Sequence, residues 1–189
     1  MRKLFLVVLF FSITGYAVYK GNTTVGTTYY DVSSNRLPAS FNGYKIVQLS
    51  DLHDAMFGEN HAEVVNRVKE IAPDAIFITG DFIDRNRYDL EQSLILVREI
   101  GQAAPIYYVT GNHEISTNDA DHIKESLREL EVHVLTNEVD VIRSDAGEVI
   151  AIGGIEDPLA SPLDDEVAVQ QSISSTFERI PAKVFKVLF

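Results

Sequence analysis

Three short, mostly apolar runs of β-forming residues constrain this chain more than any other feature: Tyr44–Leu49, Ala75–Thr79 and Ile106–Thr110. Stretches with apolar residues at helical spacing lie between them, Val64, Val65, Val68 and Ile71 in the first and Leu90–Ile100 in the second. Short apolar runs divided by helical patterns read as buried strands of a parallel sheet. Each run leads into a polar cluster: Asp51-Leu52-His53, Gly80-Asp81 and Gly111-Asn112-His113-Glu114. In sheets of this kind, ligands bind beyond the carboxyl ends of the strands. The three clusters are therefore expected to converge on one edge, where two carboxylates, two imidazoles and an amide share a small space. Oxygen and nitrogen donors in that mixture suit divalent metals such as Mn, Zn or Fe.

The rest of the chain continues the alternation. Pro73 lies where the first helix should stop, and Gly101 ends the second. A third helix is expected over about Asp119–Leu130, with Ile123, Leu127 and Leu130 on one face. Val132–Leu135 reads as a short strand. Val139–Arg143 and Val149–Ile152 flank Asp145-Ala146-Gly147, a hairpin signal. Leu163–Thr176 is weakly helical, and Lys183–Phe189 alternates as a final strand. Upstream, Gly21–Gly26 reads as a polar linker and Thr27–Val32 as an edge strand. The expected fold is a layered α/β sandwich rather than a barrel.

Charge and composition narrow the partners. The chain of 189 residues carries a net charge of −12, which argues against a nucleic-acid backbone as a broad electrostatic partner. A phosphorylated substrate stays open, because bound dications reverse the local sign. With no cysteine, disulfides and thiolate metal sites are excluded. Arg2 and Lys3 precede Leu4–Tyr19, an apolar stretch with no charge. That pattern is expected to form a signal anchor or transmembrane helix over residues 1–20. It would place a linker and edge strand (21–40) and the main domain (41–189) outside the cytoplasm, on a single-pass membrane protein.

The ordered motifs Asp-x-His, Gly-Asp and Gly-Asn-His-Glu, each at a strand end, resemble the first half of the calcineurin-like metallophosphoesterase signature. The phrase Lys45–His53 resembles the membrane-anchored bacterial, phosphodiesterase-like branch of that family. The resemblance implies a hydrolase that uses two divalent cations, Mn, Zn, Fe or Ni. It implies Asp81 as their bridging carboxylate, Asp51 and His53 as ligands of the first metal, and Asn112 as a ligand of the second through its amide oxygen. His113 would stabilise or protonate the leaving oxygen. Substrates of such enzymes are phosphorylated small molecules or lipid-linked pyrophosphates such as UDP-2,3-diacylglucosamine. The family pattern continues with a further His and a Gly-His-x-His cluster, which does not occur here, so an incomplete metal shell is expected. Two other readings follow: a truncated, inactive form of such an enzyme, or a non-enzymatic membrane-tethered binding domain.

The remaining polar residues read as structural. Glu114 is expected to orient His113 or support the site without binding metal. Asp84 reads as a turn residue, and His61, His122 and His133 as solvated surface residues. Asp157 is a candidate for the edge of the site. Asp164-Asp165 reads as a helix start.

Overall fold

The computed structural model of the chain describes residues 2–189. Four parallel strands form the first sheet in the order of the chain: β1 (Ile46–Leu49), β2 (Ala75–Thr79), β3 (Ile106–Val109) and β4 (His133–Val134). The crossovers between them carry helices α2 (Ala62–Ile71), α3 (Leu90–Ile100) and α5 (Ala120–Glu129), while α1 (Arg2–Thr23) precedes the sheet and α4 (Asn112–Ser116) follows β3. Right-handed crossovers between strands in sequential order place successive helices on the same face of a sheet. Alternate residues of each strand point to opposite faces. Ile76, Ile78, Ile106 and Tyr108 accordingly pack with Val68, Leu94, Val97 and Leu127 of the helices. Ala75, Phe77, Tyr107 and Val109 point the other way, into a separate core with Leu135 and Ile152.

A second sheet covers that other face. It comprises β5 (Glu138–Arg143), β6 (Val149–Gly154) and β7 (Phe185–Leu188), with β5 antiparallel to β6 and β7 parallel to it. The hairpin is where the Asp-Ala-Gly turn predicted it, with Gly147 at φ +80°. Phe189, just past β7, stacks on Phe77 of β2 with ring centroids 4.4 Å apart, which joins the two sheets. Gly154 sets how closely they approach. A Cβ there would lie 2.5 Å from the Cβ of Leu135 and 2.6 Å from Cγ1 of Val109. On the outer face of β6, Phe177, which follows α6 (Asp165–Thr176), rests against Gly153. Lys186 lies over that ring, 5.1 Å from its centroid. The layers run helices, sheet, sheet, helix, the expected α/β sandwich.

Three expectations need correction. Thr27–Val32 forms no strand; Tyr29, Tyr30 and Val32 are exposed. The segment pairs with no strand of either sheet, and weak alternation alone leaves its backbone bonds to water. β1 is an edge rather than a fully buried strand, and its Ile46 and Gln48 are exposed. The third concerns the expected membrane span over residues 1–20: among the described residues no helix is long and apolar enough to cross a membrane. The structure shows instead a helix of 22 residues, α1, along which the apolar side chains from Leu4 to Val18 are exposed.

Candidate metal centre

The three strand-end clusters meet because their backbones are tied together. The N–H groups of Asp51, His53 and Asp54 donate to the carbonyls of Gly80, Asp81 and Phe82 at 3.3, 3.0 and 3.3 Å. This ladder joins the turn after β1 to the turn after β2. It also holds Asp51, His53, Asp54 and Asp81 in the left-handed region, at φ +55°, +51°, +53° and +48°. Non-glycine residues persist there only where the surroundings over-determine the backbone, and such residues cluster at functional sites. Gly80 and Gly111 let the turns after β2 and β3 touch. A Cβ on Gly80 would sit 2.7 Å from the Gly111 Cα, and one on Gly111 would collide with the backbone N and Oδ1 of Asp81.

Glu114 completes the frame. It is fully buried, and its carboxylate accepts from the backbone N–H of Asp81 at 3.0 Å, Ile83 at 2.9 Å and Gly111 at 2.7 Å. One side chain thus fastens the turn after β2 to the turn after β3. Burial raises its pKa above the ordinary glutamate range, and the three N–H donors oppose that rise. The supporting role expected of Glu114 is the one it has here: it orients the turn that carries Asp81 rather than the ring of His113.

Within this frame His53, Asp81 and His113 each offer a ligand atom, and the three atoms lie within 4.8 Å of one another. The rings of His53 and His113 meet edge to face, centroids 4.4 Å apart. Asp51 lies beside them: its Oδ1 is 3.7 Å from Nε2 of His53, and its Oδ2 accepts from the Ser50 hydroxyl at 2.5 Å. Asp51 therefore adjoins the three-residue group without being part of it. Asp81 Oδ1 accepts the His113 N–H at 2.9 Å.

Asn112 stands against Asp81. With its nitrogen turned toward the carboxylate, the Asn112 amide donates to Asp81 Oδ2 at 3.0 Å and Oδ1 at 3.3 Å. Carboxylate, amide and imidazole donors fit a divalent transition metal.

His113 has partners that the sequence did not disclose. Its Nδ1 accepts the Arg85 N–H at 3.2 Å and lies 3.9 Å from Oδ1 of Asp84. Asp84, read as a turn residue, is in fact buried and bears on the site. The N–H of Asn86 and the Arg87 guanidinium hold its carboxyl below the usual aspartate range. A carboxyl with a lowered folded-state pKa contributes stability above its unfolded pKa, near 3.8, and that contribution is lost as pH falls through the folded value. Asp84→Asn is therefore expected to flatten the acid limb below about pH 4, read from urea midpoints between pH 6 and pH 2; an unchanged limb would contradict this.

Elsewhere the outcome is mixed. His61 is fully buried, not solvated: its Nε2 lies 2.9 Å from the Gln92 carbonyl and its Nδ1 has no partner. It sits at the turn before α2, where α3 covers it, and nothing in local sequence reveals that cover. His122 is exposed as expected. His133 is half-exposed but stacks on Tyr107 and pairs with Asp140 at 3.2 Å, linking the two sheets. Asp157 caps a short turn, accepting from the Leu159 N–H at 2.9 Å. Asp164 caps α6 as expected.

Comparison with known proteins agrees with this geometry. A family model described as calcineurin-like phosphoesterase matches residues 44–172. The metallophosphoesterase YkuE of Bacillus subtilis is 28% identical over 178 residues, covering 92% of this chain and 59% of its own. Two proteins named transmembrane protein with metallophosphoesterase domain also match. The one from Bos taurus is 34% identical, covering 57% of this chain and 25% of its own. The one from Danio rerio is 31% identical, covering 67% and 30%. The chain thus spans less than two thirds of the length of each of these relatives. A family match that takes in all three strand-end clusters makes the chain a member of the calcineurin-like phosphoesterase family.

Proposed function

We propose that the chain is a metal-dependent phosphoester hydrolase of phosphodiesterase type, with Asp51, His53, Asp81 and Asn112 holding two divalent cations (Mn, Zn, Fe or Ni) and His113 serving the leaving group. The observation that carries this reading is the convergence of ligand atoms from His53, Asp81 and His113 within 4.8 Å of one another, with Asn112 against Asp81. Bound cations would supply an acidified water and charge neutralisation at phosphorus. The chain's own residues do the rest. Asp81 presents both oxygens to the space between the clusters, held by the His113 N–H and, through its backbone, by Glu114. His113 accepts at Nδ1 from Arg85, which leaves its neutral ring with the proton on Nε2. From there the ring donates a hydrogen bond to the ester oxygen and stabilises the charge that oxygen gains as the P–O bond breaks.

The substrate class we favour is a lipid-linked or envelope phosphoester, of which UDP-2,3-diacylglucosamine is an example, reached from a membrane to which α1 attaches the domain. The apolar exposed length of α1 supports attachment, and so do the bovine and zebrafish relatives, whose names include a transmembrane protein. Hydrolysis of bis(4-nitrophenyl) phosphate by the purified chain tests the reaction class. Turnover is expected with added Mn²⁺ and none after chelation. Turnover that ignores chelation would overturn the reading.

A further inference from the structure

We propose that Asp54 is a positioning residue that fixes the loop 84–89 against His113. The proposal rests on the hydrolase reading above for its catalytic consequence, and on geometry alone for its structural part. Asp54 follows the candidate ligand His53 and is buried. Its carboxylate reaches across to a different crossover. One oxygen accepts from the N–H of Asp84 at 2.8 Å and of Asp89 at 3.1 Å, and the other from the Ser93 hydroxyl at 2.7 Å. Its carbonyl also accepts from the Gln92 side-chain amide. The left-handed backbone at Asp54 aims the side chain this way, and the Asp54 N–H is itself fastened to Phe82.

The loop that Asp54 holds is the one that faces the His113 ring. The Asp84 carboxylate lies 3.9 Å from Nδ1, and the next residue, Arg85, donates its N–H to the same nitrogen at 3.2 Å. Both groups that set the direction of Nε2 therefore hang from a segment whose first amide is pinned by Asp54. Residues 53 and 54 share the work: one ring stands against His113 from the metal side, and one carboxylate fixes what stands behind it. Nothing in this role needs a negative charge. Asparagine keeps an oxygen for the two backbone N–H groups and offers an NH₂ to Ser93 Oγ, whose hydroxyl is 3.1 Å from the Phe82 carbonyl.

The test uses the full chain, with Mn²⁺ added, and compares Asp54→Ala, Asp54→Asn and Ser93→Ala. Amide exchange at Asp84 and Asp89 and the ¹⁵N resonances of His113 report positioning without turnover. In Asp54→Ala, the protection of both amides is expected to fall by at least about 10-fold and the His113 signals to shift. Hydrolysis of a phenyl phosphodiester, whose leaving group needs a donor, should fall by about 100-fold, the scale of a 1 Å misplacement. The 4-nitrophenyl ester should lose far less, with KM and Mn²⁺ affinity little changed. Asp54→Asn should restore all of these, and Ser93→Ala should show the same pattern more weakly, even if Asp54→Ala does not fold. Equal losses on both esters, unchanged amide protection or failure of asparagine to rescue would each overturn the proposal. Absent turnover in the parent chain would instead count against the hydrolase reading, and the exchange and ¹⁵N data would still decide the role of Asp54.

Discussion

Asp81→Asn is expected to weaken Mn²⁺ binding by more than about 100-fold, beyond the 10–100-fold typical of losing a group that only supports a ligand. Asp81 supplies the one carboxylate among the three side chains whose ligand atoms converge. The substitution takes away its charge but little of its structure. Asparagine still has an oxygen to accept the His113 N–H, now made at 2.9 Å, and the backbone bond to Glu114 does not involve the side chain. Melting temperature without metal should therefore hold, while hydrolysis of a phosphodiester falls to the buffer rate. Titration calorimetry with Mn²⁺ and a phosphodiester assay on the same preparation make the comparison. Retained affinity together with retained turnover would remove Asp81 from the site.

Glu114→Ala should have the largest effect on stability. It strips the acceptor from three backbone N–H groups at once, at Asp81, Ile83 and Gly111, in a place water does not reach. Each buried donor left without a partner costs about 1–3 kcal/mol. A total of about 3–9 kcal/mol is expected, or a fall in melting temperature on the order of 10 °C or more for a chain of this size. Glu114→Gln should be milder. Its oxygen can still serve Asp81 and Gly111, which share Oε2, and only the bond from Ile83 is lost. A denaturation series that ranks alanine well below glutamine, and glutamine below the parent, would support this account. Equal stabilities would show that the turns after β2 and β3 hold together without Glu114.

What the sequence disclosed was whatever repeats locally. Apolar runs and helical spacing placed β1, β2 and β3 and the helices between them to within a few residues. Gly101 does end α3, and the Asp-Ala-Gly turn does join β5 to β6. The convergence of the clusters followed from strand polarity alone, since parallel strands put their carboxyl ends on one edge. Hidden from the sequence were the relations made by distant segments. Asp54 and Asp84 look like ordinary loop acids, yet 30 residues apart in sequence they share a buried hydrogen bond at 2.8 Å. His61 reads as a surface residue until α3 lies over it. Thr27–Val32 alternates like a strand, but alternation is only half of what a strand needs, and the segment pairs with no strand of either sheet.

The convergence of His53, Asp81 and His113, with Asn112 against Asp81, is the point on which the metal assignment turns. Anomalous diffraction from crystals of the chain soaked in Mn²⁺ reads it directly. Density for manganese bounded by the Asp81 carboxylate, the Asn112 oxygen and the His53 ring is the expected result. A map with no manganese there, and with the Asn112 nitrogen donating to Asp81 instead, would contradict it.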